Sequence, residues 1–326
     1  MGQAFRCSIG ETALAEAAGV SLYDLHTDVG AMIAAADAGA PIADRLGLDP
    51  PKPHLPGLAY PHVSTLGCEL TLAPGAAEPW VRPCITRPED IDALAEPDDY
   101  LTSGIVPRRL ALLEELKARR PDAVGGIGHD YEGPVTTAAL MMGQAFFMLP
   151  HDDPARARRL LTFVTRSAVR YARAIRARLG RPVAGDGQGI PDDFAGIFAP
   201  ARFAEVVVPY WNAMYEGLDA DRRFLHSELL REEHLRFLAD VKLDEYDPSV
   251  DQYLTPEVLR RSCPCPFTLR MWPAEVRDGS PVELVAAYRR RASFGPTIIT
   301  FALGRLADEP KIAALLDVAQ ELAGTD

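Results

Sequence analysis

The feature of this chain that most constrains its fold is an alternation of short apolar segments with helical segments, beginning near residue 105. Strands that alternate with helices pair in parallel, because each helix returns the chain to the same end of the sheet through a right-handed crossover. The number of these elements and the chain length fit a closed barrel better than an open sheet. No Gly-x-Gly-x-x-Gly follows an early strand, so a dinucleotide-binding sheet is not indicated. We therefore expect an α/β fold with a single distorted (β/α)8 barrel of the TIM type.

The predicted elements cover the chain from residue 105 to its end. Pro200 is placed to open one of the helices, as proline often does. The predicted strands are 123–127, 182–185, 223–226, 241–246, 266–271 and 296–302, and the predicted helices are 107–119, 134–147, 154–179, 200–217, 230–239, 255–261, 281–294 and 309–323.

Residues 1–104 show a different pattern. Helical periodicity covers 14–49, a proline-rich loop follows over 50–61, and two β-like pieces separated by Pro74-Gly75 predict a small hairpin. Thr86 and Pro88 then mark the start of another helix. We expect 1–104 to form an N-terminal extension of helices and a hairpin, packed on a barrel core over 105–326 within one structural domain.

The composition argues against two classes of partner. The formal net charge is −12, whereas a nucleic-acid surface would need clustered Lys and Arg. No apolar run approaches the roughly 18 residues that span a bilayer. Glu11 stands where a signal peptide would have its apolar core, and the five cysteines have no disulfide spacing. We expect a cytoplasmic protein that binds neither nucleic acid nor membrane.

Chemistry in such a barrel collects where the strands end at their carboxyl side. The segments that follow the predicted strands are polar or glycine-rich, whereas the runs before them are apolar. These segments are 128–133, 186–188, 226–228, 246–247, 270–272 and 304–305.

His226-Ser227-Glu228 is the most specific of these segments. Residues two apart on an extended chain point the same way, so the imidazole and the carboxylate converge. Such a pair serves as two metal ligands or as a hydrogen-bonded acid/base pair, and the sequence leaves both open. Further ligands would come first from Asp186, then from His129, Glu132 or Asp247.

The other candidates are supported by position. His129, Asp130 and Asp186 are candidates for proton transfer, although such residues also cap helices. Asp193 is a further catalytic candidate in a polar loop. The predicted substrate-binding residues are Tyr131, Glu132, Arg270 and Trp272, the last two as an anion- and ring-binding wall.

Two further patterns favour structural interpretations. Glu232, Glu233 and His234 fall within a predicted helix and are interpreted as a solvated face, with a reach of His234 back to the barrel mouth as the alternative. Cys263 and Cys265 precede a strand, at the barrel end opposite the chemistry, and are interpreted as structural thiols.

Several segments, in their order and spacing from about residue 60 onwards, resemble the uroporphyrinogen decarboxylase superfamily and, within it, the cobamide-dependent methyltransferase branch. Each motif is short, and the set carries the resemblance. The segments are Thr65-Leu66-Gly67-Cys68-Glu69, Thr86-Arg87-Pro88-Glu89-Asp90-Ile91, Glu132-Gly133-Pro134-Val135-Thr136-Thr137-Ala138, Asp192-Asp193-Phe194, Ala199-Pro200-Ala201-Arg202-Phe203 and Val208-Pro209-Tyr210.

The resemblance implies a metal site, with two departures. Methyltransferases of this family hold zinc through a His-x-Cys and a second Cys at the end of the last strand. Here His226 matches, Glu228 replaces the first Cys, and 301–304 contains no Cys. The decarboxylases bind their tetrapyrrole through an Arg-Gln-Ala-Gly-Arg loop that has no counterpart here, so a true uroporphyrinogen decarboxylase is not expected.

Three functions remain open. The first is a metal-dependent methyl or alkyl transferase, with a divalent metal (Zn or Fe) at a site containing His226 and Glu228. The second is a metal-free decarboxylase or lyase that uses Asp and His for proton transfer, and the third is a non-catalytic binding relative. The resemblance implies a small-molecule substrate with a possible corrinoid link, a corrinoid protein as a candidate partner, and a homodimer as a candidate assembly.

Overall fold

The computed structural model of the protein describes residues 2–58, 60–73, 79–127, 131–183 and 187–324. Its strands are β1 Phe5–Ile9, β2 Glu69–Thr71, β3 Trp80–Arg82, β4 Gln188–Pro191, β5 Arg223–His226, β6 Glu245–Asp247, β7 Leu269–Arg270 and β8 Ile299–Leu303. Its α-helices are α1 Glu11–Ala18, α2 Leu22–Thr27, α3 Val29–Leu46, α4 Pro61–Thr65, α5 Val106–Arg119, α6 Pro134–Met142, α7 Leu149–Asp152, α8 Pro154–Arg178, α9 Pro200–Val206, α10 Val208–Gly217, α11 Glu232–Val241, α12 Pro256–Ser262, α13 Pro273–Asp278, α14 Pro281–Ala292 and α15 Glu309–Ala323. Short 3-10 helices cover Pro88–Ala93, Tyr100–Thr102, Gly143–Phe147, Ala195–Ile197 and Leu306–Asp308.

Two parallel sheets form the centre of the fold. The first has the order β1-β8-β7 and the second the order β4-β5-β6. A single parallel bridge between Tyr246 and Phe267 connects them, and another joins His54 to Val124. Helices follow the strands as the alternation predicted, so the α/β class with parallel strands is confirmed. Over the residues that the structure describes, six strands make up these sheets and a closed ring of eight is not shown.

Three strand positions differ from the sequence prediction. β1 was assigned to the N-terminal extension, yet it pairs with β8 over its whole length. β4 lies at Gln188–Pro191, where no strand was predicted and only Ile190 has a strong β preference; of the strand predicted at 182–185, residues 184 and 185 lie outside the described residues. Within the predicted strand 123–127, pairing is limited to the bridge at Val124. The bounds of these strands are set by pairing with strands that are distant in sequence. Local residue patterns do not contain that information.

The two faces of the sheets differ in polarity. On the outer face, Leu225, Tyr246 and Ile299 are almost completely buried beneath the helices. Side chains alternate between the two faces along each strand, and residues paired in a parallel register share a face. The inner face therefore carries His226 with its partner Asp247, and Arg270 with its partner Thr300. This inner face carries the polar side chains. Because side chains alternate between the two faces of each strand, the polar side chains that could take part in catalysis are collected on the inner face.

The N-terminal region contains the elements predicted for it. α1 and α3 occupy the helical segment, and β2 pairs with β3 in an antiparallel hairpin. The helix predicted at Thr86 begins at Pro88 as a 3-10 helix, since the Asp90 carboxylate accepts the backbone N–H groups of Thr86 and Arg87. No helix in the described part of the chain is long and apolar enough to cross a membrane.

A buried histidine makes the fold sensitive to acid. His62 is 1% exposed, and its Nε2 lies 3.0 Å from Ser167 Oγ among the rings of Tyr100 and Tyr171. Burial lowers the pKa of His62 from 6.5 to about 3. Between pH 6.5 and about pH 3, His62 is therefore protonated in the unfolded chain and neutral in the folded chain. The free energy of unfolding decreases as the pH is lowered through this range.

We expect this group to cost about 2 kcal/mol of unfolding free energy between pH 7 and pH 5. His62→Gln should remove that part of the pH dependence, measured by urea unfolding at both pH values. His151→Gln, at an exposed position, is the matched control and should retain the wild-type slope. Equal slopes in all three proteins would contradict the assignment.

Candidate active site

The candidate site lies at the carboxyl ends of β4, β5 and β6. The register aligns Pro191 with His226 and His226 with Asp247. Asp193 follows β4 at the same end, so three titratable side chains from separate strands meet. This is the position at which a parallel barrel supports catalysis.

His226 lies between two carboxylates. Its Nδ1 is 2.9 Å from Asp247 Oδ2, and its Nε2 is 3.5 Å from Asp193 Oδ1. Burial would lower the pKa of His226, but the hydrogen bond and charge of Asp247, together with the charge of Asp193, raise it above the ordinary value. The ring is therefore oriented by Asp247 through Nδ1, and Nε2 faces Asp193.

Asp247 is a fixed anion. Burial would raise its pKa, but the hydrogen bond and charge of His226, the charge of Arg270 and the Ser249 amide lower it to about 2. Thr268 Oγ1 donates to its Oδ1 at 3.0 Å, and Arg270 Nη2 donates to its Oδ2 at 3.1 Å. A carboxylate held by this many donors keeps both its charge and its position.

Asp193 has the opposite environment. Its Oδ1 is buried and accepts no hydrogen bond from the described residues. Burial raises its pKa and the charge of Glu228 adds to the effect, whereas the charge of His226 lowers it. A buried carboxylate oxygen without a donor is costly, so this atom has acceptor capacity for a proton, a cation or a substrate.

The neighbouring Asp192 has a structural role. It is completely buried, and its carboxylate accepts the Thr136 N–H and the Trp211 indole N–H, both at 2.7 Å. Burial raises its pKa to about 6 against these donors. A Cβ on Gly133 would lie 2.4 Å from the Asp192 side chain, so only glycine permits this approach. Asp192 thereby ties the end of β4 to the start of α6.

Glu228 does not pair with His226. No hydrogen bond or ion pair joins these two side chains in the part of the chain that is described. The influence of Glu228 falls on Asp193, through its charge and its backbone amide. Of the two interpretations left open for the His-x-Glu pattern, the hydrogen-bonded pair is not formed, and His226 contacts two aspartates instead.

The remaining candidates are distributed unevenly. The Tyr131 hydroxyl donates to the Gly189 carbonyl at 3.1 Å, which ties it to β4, and Glu132 is buried. Arg270 and Trp272 both line a cleft of about 160 Å3 beside α12. Three predicted catalytic residues lie outside the described residues, namely His129, Asp130 and Asp186.

The two structural interpretations have different outcomes. His234 is 1% exposed and was wrongly placed on a solvated face, because its Nδ1 accepts the Arg231 N–H and its Nε2 contacts the Phe198 carbonyl. Glu232, by contrast, is on the surface and pairs with Arg261. The Cys263 and Cys265 thiols lie 3.8 Å apart, half-buried and free, and their structural role stays a prediction.

A larger cleft of about 530 Å3 opens beside Arg270 on the inner face. Arg6 and Ser8 from β1 and Thr300 from β8 line it, and none of them was a candidate from the sequence. The signal was present in the alternation of polar and apolar residues over Phe5–Ile9. It was missed because this short segment was not interpreted as a strand.

A comparison with protein families identifies the fold. The family model "Uroporphyrinogen decarboxylase (URO-D)" matches residues 1–255. The chain belongs to the URO-D family. The match includes the N-terminal region, in agreement with the pairing of β1 in the sheet. Members of this family are TIM barrels, which accounts for the parallel sheets.

A solved structure gives the same fold. A methyltransferase from Methanosarcina mazei superposes with a TM-score of 0.71 at 18% sequence identity, over 98% of this chain and 94% of that one. At this identity the likeness establishes the fold and not the activity. No curated protein matches the sequence.

The donors of this URO-D family member suit a hard or borderline cation. His226 Nε2 and Asp193 Oδ1 face each other at 3.5 Å, and this oxygen has no other described partner. Nitrogen and oxygen ligands favour Zn, Fe or Mn over softer ions. Among the residues described, no group of three His, Cys, Asp or Glu side chains is arranged around a metal position. Two donors are thus in place, and a complete ligand set is not.

Proposed function

We propose that this protein is a metal-dependent methyl or alkyl transferase in which His226 and Asp193 form the reacting centre. The observation that carries the proposal is the approach of His226 Nε2 to the buried Asp193 Oδ1, which accepts no hydrogen bond from the described residues, with Nδ1 held by Asp247. Membership of the URO-D family and the fold shared with a methyltransferase support it.

The proposed metal ligands are His226 and Asp193. Glu228, whose charge acts on Asp193, is proposed as a third donor that would have to turn towards the ion, because the three side chains are not arranged around one position in this structure. Asp186 remains the first candidate for a fourth. When bound, a divalent ion would supply Lewis-acid polarisation of a substrate oxygen or a bound water. None of these proposed donors is a thiolate, which favours this role over activation of a thiol.

The protein groups set the geometry of the site. Asp247 accepts the Nδ1–H of His226 and so leaves Nε2 free to bind, as carboxylates commonly do for ligating histidines. Arg270 and Thr268 hold Asp247 in turn. A substrate entering from the inner face meets His226 in one fixed orientation, which lowers the cost of organising the site.

We propose further that the sheets close into one (β/α)8 barrel. The bridge between His54 and Val124 and the hydrogen bond from Val124 N to the Pro53 carbonyl place two more segments in parallel. Arg109 joins these segments by donating to the carbonyls of Pro56 and Ile127. An extension over 1–104 and a core over 105–326 remain the proposed division, with β1 contributed to the core by the extension.

The substrate is proposed to be a small molecule, linked to a corrinoid or delivered by a corrinoid protein. The family and the methyltransferase fold support this, and a homodimer remains a proposal of the same kind.

The transfer can be tested with methylcobalamin as donor and a small thiol or alcohol as acceptor, followed by the absorbance of the corrinoid. Wild-type protein supplied with Zn or Fe should support transfer, and His226→Gln should reduce the rate by about a hundredfold or more, because it removes the oriented nitrogen. His151→Gln, at an exposed position, is the control. Equal rates for the His226 variant and the wild type would contradict the proposal.

A metal-free decarboxylase or lyase is the second candidate, favoured by one observation. The His226 ring contacts a carboxylate on each nitrogen, an arrangement that suits proton relay as well as metal binding. Absence of transfer from methylcobalamin by the wild type, with or without metal, would promote this candidate over the transferase.

Decarboxylation of uroporphyrinogen is expected to be absent. Each substrate carboxylate requires matched Arg donors, and the Arg-bearing loop of the decarboxylases has no counterpart here. Two of the arginines lining the large cleft, Arg277 and Arg305, are already paired with Asp278 and Asp308. Chromatography of the oxidised porphyrins after incubation should show only unchanged substrate, and accumulation of less carboxylated products would reject this expectation.

A further inference from the structure

The large cleft on the inner face is lined by cationic groups, in contrast to the chain as a whole. Four arginines line it, against one acidic residue, Asp308, whereas the chain carries a formal net charge of −12. Clefts with one sign of charge concentrate ligands of the opposite sign. The arginines are Arg6, Arg270, Arg277 and Arg305.

Two of these arginines are already neutralised. Arg277 forms a two-point contact with Asp278, with both N–O distances at 2.7 Å. Arg305 does the same with Asp308, at 2.8 and 2.9 Å. Because carboxylates of the protein already occupy both guanidinium groups, these two arginines stabilise the wall of the cleft and have little capacity left to bind an anion.

Arg6 and Arg270 differ from that pair. Arg6 is exposed and forms no ion pair or hydrogen bond with any residue in the described ranges. Arg270 uses Nη2 for Asp247, while its Nε is buried without an acceptor among these residues. A buried N–H without a partner is costly, and an anion in the cleft would satisfy it.

The strand register brings the two together. Arg6 pairs with Thr300 and Thr300 pairs with Arg270, so the three lie side by side on the inner face. Two strand spacings separate the backbones of Arg6 and Arg270 by about 10 Å. Side chains of this length can approach one ligand from both sides, with the Thr300 hydroxyl between them.

We propose that Arg6 and Arg270 form an anion subsite that binds a carboxylate of a small organic substrate. A planar carboxylate matches the guanidinium fork in two-point geometry, which favours it over a spherical ion. Arg270 also contacts Asp247, so the bound anion would lie beside the array that orients His226. The inference rests on the proposed function only in placing this anion beside Arg270, whose contact with Asp247 links the cleft to the reacting centre.

The test uses succinate, acetate and inorganic phosphate as probes, with sodium chloride at matched ionic strength. Calorimetric titration of the intact protein should show saturable binding of succinate. Arg6→Gln should weaken that binding about tenfold or more, because it removes a charged two-point donor. Arg6→Lys retains the charge without the fork and should restore it only in part. Arg82→Gln, at an exposed position on the hairpin, is the control for net charge and should bind as the wild type does.

Three results would overturn the proposal. These are equal succinate affinity in the Arg6→Gln and wild-type proteins, absence of binding by any carboxylate probe, and tighter binding of phosphate than of either carboxylate. Circular dichroism should show that Arg6→Gln retains its fold. Succinate binding requires neither metal nor transfer, so its loss would leave the transferase proposal standing. A failed transfer assay would equally leave the subsite standing.

Discussion

Asp192→Ala is expected to lower the free energy of unfolding by about 3–5 kcal/mol, because several buried N–H donors lose their acceptor at about 1–3 kcal/mol each. The substitution leaves the Trp211 indole and the first amides of α6 without their acceptor inside the core. It also opens a cavity at a position that is 0% exposed. Urea unfolding followed by circular dichroism at pH 7 measures the loss.

The neighbouring aspartate provides the matched control. The Asp193 side chain is 36% exposed, and its Oδ1 accepts no hydrogen bond from the described residues. Asp193→Ala should therefore change the unfolding free energy by less than about 1 kcal/mol. Asp192→Asn should fall between the two, because the amide retains one acceptor and avoids burial of a charge. Similar losses for the two alanine variants would contradict the division into a structural and a functional aspartate.

Glu228→Gln is expected to weaken binding of a divalent ion by about a hundredfold, with transfer activity falling in parallel. The variant keeps the volume of the side chain and removes a carboxylate next to Asp193, where the structure concentrates negative charge. Carboxylate ligands favour hard and borderline ions, so Glu228→Cys should shift selectivity towards Zn. Titration with Zn, Fe and Mn under equilibrium dialysis measures both effects.

Glu233→Gln removes the same charge from the exposed surface of α11 and serves as the control. It should bind metal as tightly as the wild type does. Equal metal affinity of the Glu228→Gln and wild-type proteins would remove Glu228 from the ligand set. His226 and Asp193 would then be the only proposed donors among the residues described.

The sequence predicted some elements of the site closely. β5 was predicted at 223–226 and lies at Arg223–His226, because its apolar residues end at an abrupt polar segment. His226 was found through that boundary, and Arg270 through its place at the end of the predicted strand 266–271. Both residues lie on the inner face, as the rule for strand ends indicates.

The contacts of His226 could not be read in the same way. They depend on which strands are neighbours and in which register, and periodicity within one segment does not contain that information. Asp247 is 21 residues away in sequence and reaches His226 through the pairing of β5 with β6. The His-x-Glu spacing suggested a local pair, whereas the two aspartates come from other strands.

The positions of β1 and β4 could not be predicted from the sequence either. β4 consists of Gln, Gly, Ile and Pro, a composition that argues against a strand, and it is held there by pairing with β5. β1 was overlooked, and Arg6 with it. The burial of His234 was missed as well. Its position near the start of α11 suggested exposure to solvent, whereas in the structure α9 and the Phe198 carbonyl cover it.

His226 and Asp193 are proposed to hold a metal ion at the carboxyl ends of the strands. The most direct measurement is the metal content of wild-type protein purified without added metal, by inductively coupled plasma mass spectrometry, followed by transfer activity before and after chelation. We predict about one Zn or Fe per chain, loss of transfer on chelation, and recovery when the ion is returned. Metal-free wild-type protein that is fully active would contradict the claim and favour the acid–base lyase.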